Sequence, residues 1–552
     1  MERITRNAPV LLLAAALATA AAMTLVLMSG MTFYQDTWAF LIERRDPTVF
    51  TLLHPHNEHL VVFPVLIEQL FLRVFGMTSA APEYVLLTIF LLVTASLLYV
   101  YVKRRVGSWL ALFAAVLILC LGPAWEVLLW PFEITFVGPI LFGLAMLLAL
   151  EREDRRGDIA ACVFLTLALG FSGLGLPFIA AAVVAVLQGR RQTWRGRAYI
   201  FAVPAALYAA WYLGWGHGAE THMSIYNVLS SPRFVADAVA AAVGSVFGLA
   251  TNSNGVGVDP SWGRVILAAL VVVLGYRQLR KPGFFPGLWP VAAVAVTSWF
   301  LTGFNAFPGR EPTSGRYQYA GAIFVLMILA NLLKDARPSK HVLWAAAVVT
   351  ALAIGPNLVV LKIGGDKLEQ QALLTRSDTA AIEISRRTVD PNFELTPEVT
   401  DTASLVNIYA GKYLAAVDEY GSPAYSPAEL AAAPEEGRGA ADVVLAEALP
   451  LSTVTRPGAY DASSGAENCT SLPVVGGAPT SEVRLSPGLT RIELAPGPDA
   501  AFTLRRFAVG EYPVSTEGAP GDSVTVLRIP RDFAPQPWYL HVDASQPARV
   551  CR

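Results

Sequence analysis

Charge is scarce in this chain. Of its 552 residues only 15% are Asp, Glu, Lys or Arg, while 54% are hydrophobic. Soluble domains carry about 25% charged residues, so an ordinary water-soluble globule is excluded. Long apolar runs are missing from one part only: they recur from residue 8 to about residue 361 and then stop. From Lys362 to Arg552 the sequence is rich instead in Pro, Gly, Asp, Glu and Thr. The chain therefore reads as a polytopic membrane domain followed by one region in water. An internal repeat is lacking, and so is a helical HExxH zinc pattern. The net charge of −2 says nothing by itself about partners; no nucleic acid is expected among them. Cysteine is rare. Cys120 and Cys162 sit inside apolar runs as small buried hydrophobes, which leaves Cys469 and Cys551 alone in the terminal region.

About eleven stretches have membrane-spanning character: 8–30, 83–102, 108–124, 134–150, 158–172, 175–188, 198–215, 262–276, 285–304, 317–333 and 341–361. The reading uses a window of ~20 residues for a ~30 Å hydrocarbon core. Basic clusters fall between alternate segments: Lys103-Arg104-Arg105, Arg152 with Arg155-Arg156, Arg190-Arg191 with Arg195 and Arg197, Arg277 with Arg280-Lys281, and Lys334 with Arg337 and Lys340. The positive-inside rule places these, with Arg3 and Arg6, in the cytoplasm. An odd number of crossings then leaves the C-terminal region outside. The expectation is a multi-pass plasma-membrane protein with a cytoplasmic N-terminus and an extracytoplasmic C-terminal region. An even pair of cysteines out there is expected to form a disulfide, Cys469–Cys551.

Two stretches break the pattern. "LLHPHNEHLVVFPVLIEQLFLRVFG", from Leu52 to Gly76, packs three of the seven histidines into six residues just before an apolar run. If Leu60 to Phe75 crossed the membrane, every later basic loop would be inverted. The run also carries Glu68, Gln69 and Arg73 along one flank at helical spacing. It reads as an amphipathic helix lying in the outer interface. "GFSGLGLP", from Gly170 to Pro177, reads as a turn between two short helices. Irregular backbone at membrane depth is tolerated when it is packed in protein or faces water, so this turn either floors a cavity opening outward or is a packed turn.

The outer loops hold nearly all the unusual polarity. Loop one offers Asp36, Glu43, Arg44, Arg45, Asp46, His54, His56, Asn57, Glu58 and His59. "PAWEVLLWPFEITF" supplies Glu126 and Glu133, and a longer loop from Gly216 to Ser261 supplies His217, Glu220, His222, Arg233, "TNSNG" and Asp259. The last, "FNAFPGREPTSGRYQY", brings Arg310, Glu311, Arg316, Tyr317 and Tyr319. External arginines run against the charge rule. Either they bind an anionic headgroup or phosphate, whose oxygens match the guanidinium fork, or they snorkel at the interface. The histidine cluster is open to three readings: a divalent metal site, an interfacial polar cap, or a substrate-binding or acid/base cluster.

The order of these features resembles the start of the C-type membrane glycosyltransferases. A first membrane helix is followed by "YQDTWAFL", then "HPHNEHLVVFPVLIEQLFLRVFG", then "EYVLLTIFLLVTASLLYVYVKRRVG". The protein mannosyltransferase and aminoarabinose transferase branch is the most similar. There an acidic residue, a Pro/His element and an interfacial helix ending in Phe-Gly follow helix one. Asp36 falls at the acidic position, and Pro55 with His56 or His59 at the Pro/His element. Two departures stand out: Asp36 is followed by Thr37 rather than a second acid, and Asn57-Glu58-His59 replaces the proline. "SGRYQY" is similar to the Arg-Tyr element of many actinobacterial members. The likeness covers about the first 150 residues, and residues 150–361 only as a general pattern of helices.

That resemblance implies a GT-C-like, α-helical polytopic fold over residues 1–361, with about eleven transmembrane helices. An extracytoplasmic helical linker region is expected over 362–450. An alternation of apolar and polar residues between Gly/Pro turns predicts a β-sandwich over 451–552, so the terminal region as a whole is α+β. Some arabinosyltransferases of this layout end in a carbohydrate-binding sandwich, which is the expectation by analogy. The implied activity is transfer of a sugar from a polyprenyl-phosphate donor to a cell-envelope glycan or lipid acceptor on the outer face of the bilayer. No cofactor is required by this reading, though a divalent metal is compatible with it. Asp36 would be the general base and Glu58 its substitute. His54, His56, Asn57, His59, Glu126, Glu133 and Tyr317 would bind substrate, and Arg310 and Arg316 the phosphate. The rival readings are a lipid or glycan flippase and a non-catalytic wall-binding protein.

Overall fold

The computed structural model describes residues 2–189, 194–251, 257–280, 287–334, 338–400, 404–405, 408–448, 453–457, 469–472, 482–495, 501–510, 512–513, 523–529, 531–543 and 547–551. Of the features named above, Arg190, Arg191, residues 252–255 of "TNSNG", Lys281 and Arg337 lie outside that set. Two compact units make up the chain. The first comprises Met1–Gly30, Arg44–Phe71 and Ala81–Leu368; the second comprises Met31–Glu43, Leu72–Ala80 and Glu369–Arg552.

The first unit is helical, and a helix coincides with each of the eleven apolar stretches. Among the described residues, five helices are long and apolar enough to cross a bilayer, beginning at Asn7, Ala81, Pro131, Ser261 and Lys340. A bent pair, Ser108–Leu119 with Gly122–Leu129 at 49°, makes six if it is one span. The count of eleven also took in short helices such as Leu176–Gln188, which has 13 residues and reaches only ~20 Å at 1.5 Å per residue. Charge ties the helix ends together. Arg105 donates to Glu151 at 2.6 Å and to Asn331 at 2.9 Å, and Arg197 holds Asp158 through two bonds of 2.9 and 2.6 Å.

One helix was not visible to hydropathy. Ile225–Val246 runs through what the sequence presented as a single outer loop. Ser224 caps it, accepting from the Asn227 N–H at 3.1 Å. Small residues fill its inner side: Ala240, Ala241, Ala242 and Gly244 are buried.

Helix Val62–Phe75 has 14 residues. Glu68 and Gln69 are buried, while Leu66, Leu70 and Val74 stand exposed. Residues four apart share a helix face, so the outward stripe is apolar and the polar pair faces protein. At the Gly/Pro turn, Ser172 ends helix Arg155–Phe171 and Pro177 opens helix Leu176–Gln188. Helix Ile134–Leu150 packs closely here: a Cβ on Gly143 would fall 2.2 Å from the Phe178 ring.

The helix Lys340–Ser385 is 46 residues long and carries straight through position 361, where the sequence suggested a boundary. Beyond it the second unit mixes short helices with strands. Strands β1 (Glu394–Leu395) and β2 (Ile408–Tyr409) form a small antiparallel pair. Nine more strands follow: β3 (Thr453–Pro457), β4 (Cys469–Leu472), β5 (Glu482–Leu485), β6 (Gly488–Leu494), β7 (Ala501–Arg505), β8 (Tyr512–Pro513), β9 (Ser523–Ile529), β10 (Trp538–Asp543) and β11 (Ala548–Cys551). They build two antiparallel sheets, in the orders β5-β10-β7-β8 and β3-β9-β6-β11-β4. Alternation does what the sequence foretold. Val483, Leu485, Phe502, Leu504, Trp538, Leu540 and Val542 are buried, with every second residue turned away. Cys551 stands opposite Cys469 in the β4–β11 register, and a disulfide joins them.

Candidate functional site

All of the geometry that follows lies within the first unit, except that of Asp36. Side chains aimed at backbone carbonyls pin loop one. Arg44 donates to the carbonyls of His54 at 2.9 Å and Pro55 at 2.7 Å. Gln69 donates to those of Arg44 at 2.7 Å and Asp46 at 3.1 Å, and the Trp211 indole to that of Leu53 at 2.8 Å. The chain can then turn sharply. His56 and His59 exchange backbone hydrogen bonds of 3.0 and 2.9 Å, and Asn57 takes a φ of 50°, which asparagine tolerates better than most residues. Glu58 sits beside Asn57 at the tip.

The two anomalous stretches of the sequence meet here. A Cβ on Gly173, in the Gly/Pro turn, would fall 2.6 Å from His59 Nδ1. Only glycine admits the ring at that distance. The turn is thus packed beneath the histidine loop, and His56 packs edge-on against Phe132 with centroids 5.3 Å apart.

The loop before helix Gly315–Leu332 is built as tightly. Gly309 takes a φ of 93°, and Arg310 N–H closes a turn onto the Phe307 carbonyl at 2.8 Å. Ser314 donates to the Gly309 carbonyl at 3.1 Å. Asn227, at the start of the helix that hydropathy missed, directs its amide at the carbonyls of His222, Phe304 and Ala306, at 2.9, 3.2 and 3.0 Å. Close approach of helix Gly315–Leu332 to the Pro123 carbonyl, which a Cβ on Gly315 would meet at 2.8 Å, brings Arg316 alongside Glu126.

These loops enclose a cavity of about 430 Å³. His54, Pro55, Asn57 and Glu58 line it from loop one, and Phe307, Gly309, Arg310, Arg316 and Tyr317 from the last loop. Trp215, Gly218, Ala219, Glu220 and His222 complete the wall. Six residues singled out from the sequence therefore converge: His54, Asn57, Glu58, Arg310, Arg316 and Tyr317. Four others stand off the lining: His56 and His59 pack as described, Glu126 pairs with Arg316, and Glu133 is 1% exposed. Asp36 heads the helix Asp36–Glu43 in the second unit. Among the described residues no three His, Cys, Asp or Glu side chains are grouped as a metal-ligand set. Sequence reasoning gave no role to Trp215, Glu220, His222, Phe307 or Asn227. Glu220 and His222 were visible as loop polarity, but Asn227 ties its own loop to carbonyls of Phe304 and Ala306, which are remote in sequence.

Both arginines of the cavity are paired with a carboxylate. Arg310 forms a salt bridge with Glu58 and lies over the Phe307 ring at 4.8 Å. The Phe307 ring in turn packs on His222, with centroids 4.2 Å apart. Arg316 Nε lies 3.6 Å from Glu126 Oε2. Burial pushes the Glu58 carboxyl up, but His59 and Arg310 outweigh it and hold the group below its ordinary range. Burial takes His59 the other way, down to about 4, against the opposing pull of Glu58. A ring titrating there is neutral at pH 7, so at that pH the guanidinium of Arg310 is the positive charge that keeps Glu58 ionised. The result is a polar, partly desolvated pocket with two guanidinium forks and the carboxylates of Glu58 and Glu220 on its wall. Such a pocket can hold an anion and orient a hydroxyl.

No family model matches the chain, and no curated protein matches it. Among solved structures the chain is similar to the arabinosyltransferase EmbB from Mycobacterium smegmatis, with 12% identity and a TM-score of 0.35. That likeness covers 96% of this chain but 64% of the other, so this chain spans less than two thirds of that relative's length.

Proposed function

We propose that the protein is a membrane glycosyltransferase that moves a sugar from a polyprenyl-phosphate donor to a cell-envelope acceptor at the outer face. One observation supports the reading above the rest. Two arginines and the carboxylate of Glu58, drawn from loops some 250 positions apart (Glu58 and Arg310 are separated by 252), line one cavity among apolar helices. The donor's phosphate oxygens would sit on the guanidinium forks of Arg310 and Arg316. Asn57, His54 and Tyr317 offer the sugar hydroxyls donors and acceptors. An acceptor hydroxyl attacks the anomeric carbon while a carboxylate takes its proton. The bond from that carbon to the phosphate oxygen breaks, and its electron pair leaves with the polyprenyl phosphate, where the arginines stabilise it. Glu58 is the cavity carboxylate that reaches Arg310, and Asp36 is the candidate that the family resemblance supplies.

A pair of isosteric variants decides between the two. Asparagine and glutamine keep an acceptor oxygen but cannot take a proton at neutral pH. Transfer of sugar from polyprenyl phosphate should fall about 10²–10⁴-fold in whichever of Asp36→Asn and Glu58→Gln removes the base. Near-normal transfer by both would remove loop one from the mechanism.

A further inference from the structure

Every cation on the wall of the cavity is already matched by a carboxylate. Arg310 is paired with Glu58 and Arg316 with Glu126, so an incoming phosphate does not meet free guanidinium. The two members of the first pair are not held alike. Arg310 is fixed by its backbone turn onto Phe307 and by the ring beneath its guanidinium. Glu58 projects from the tip of a two-residue turn, and its side chain remains 23% exposed. The arginine stays; the glutamate can swing.

We infer that Glu58 and Glu126 are resident counter-ions that the donor phosphate displaces, and that arrival of the phosphate on Arg310 is what frees Glu58 to accept a proton. This deepens the glycosyltransferase reading and rests on it. A carboxylate clamped by a guanidinium is a poor base, because accepting a proton would forfeit the pair. Once the phosphate has taken over the guanidinium, that penalty disappears.

Charge balances through the whole step. The donor is a phosphodiester with one negative charge, and the freed Glu58 carries a second. When the acceptor's O–H bond breaks, its proton neutralises Glu58. The sugar's bond to the phosphate oxygen breaks and the new glycosidic C–O bond forms. The phosphate departs as a monoester bearing the second charge. The phosphate and Glu58 together carry two negative charges before and after the step, and no other group at the site changes its charge. Neither a metal nor any co-reactant is needed for that balance. The exchange also selects for substrate: a neutral ligand cannot displace the glutamate, so the base stays locked without an anion.

The test is a calorimetric titration of the purified full-length protein with inorganic phosphate and, separately, with dodecyl phosphate below its micellar concentration. Thermal unfolding is recorded for every variant. Glu58→Gln removes the competitor while keeping the shape, so both phosphates should bind about tenfold more tightly than to the wild type. Glu126→Gln should also tighten binding, through the second pair, and serves if the first variant does not fold. Arg310→Ala should weaken binding. If neither glutamine variant tightens binding while Arg310→Ala still weakens it, the exchange is overturned and the phosphate site survives. Unchanged binding in Arg310→Ala overturns the phosphate site, and the exchange with it. Tightening for inorganic phosphate alone would overturn a lipid headgroup as the displacing anion.

Discussion

His59 shows how a single residue carries both packing and electrostatics. Its ring meets the backbone of Gly173 and stands 3.7 Å from the Glu58 carboxylate. Burial lowers its titration from 6.5 to about 4. The folded state thus favours the neutral ring, and the unfolded chain takes up a proton first as pH falls. The stability it contributes is present above about pH 6.5 and is lost on the way down to about pH 4. A thermal-unfolding series from pH 7.5 to pH 4.5 should show the wild type losing stability over that window, with His59→Gln losing distinctly less. Parallel curves for the two proteins would contradict a buried neutral ring. The residues of the site were partly legible in advance, for a plain physical reason. Polar groups at the ends of apolar helices are costly unless they face water or a partner, so Glu58, Arg310 and Arg316 stood out. The pairing of Glu58 with Arg310 did not, since no local pattern links positions so far apart. Asn227 and Phe307 are ordinary residues in sequence and acquire their roles only from the loops they hold.

Among the elements, period and charge served well where they had a full face to work on. The alternating strands β5, β7 and β10 bury one side each, as the pattern predicted. Helix Ile225–Val246 escaped because its buried residues are mostly alanine, glycine and serine, with Phe234, Val243 and Val246 among them, and its first half carries the polar residues Asn227, Ser230, Ser231, Arg233 and Asp237. Its capping serine at 224 was the available signal. In helix Val62–Phe75 the period was read correctly, but the direction of each face needed the structure: Glu68 and Gln69 point inward. The cysteine pairing followed from an even count in a region expected outside the cell, and it joins the last strand to β4 across a sequence separation of 82. Closing a loop of that length stabilises by up to ~4–5 kcal/mol in the chain-entropy model. Cys469→Ser with Cys551→Ser should therefore leave the β region clearly less resistant to heat and to protease than the wild type. Free thiols at both positions in protein purified without reductant would refute the bridge.

At the scale of the whole molecule, five apolar helices among the described residues are long enough to cross a bilayer and identify an integral membrane protein, and a helical first unit gathers several of its loops around a polar cavity. The second unit adds two larger β-sheets, the small β1–β2 pair and a disulfide. Hydropathy drew a boundary at residue 361, whereas the helix Lys340–Ser385 runs through that position and the segments Met31–Glu43 and Leu72–Ala80 belong to the second unit. The central claim is that the cavity binds a phosphate-linked sugar and transfers it. The most direct measurement follows radiolabelled sugar from a polyprenyl-phosphate donor into envelope material, in membranes of a deletion strain carrying the wild type, Arg310→Ala or Arg316→Ala. Losing one charge-assisted contact to phosphate costs ~1.5–3 kcal/mol, so at limiting donor each variant should transfer roughly ten- to a hundredfold less label at equal protein abundance. Transfer at the wild-type level by both arginine variants, or no dependence of labelling on the wild-type protein, would contradict it.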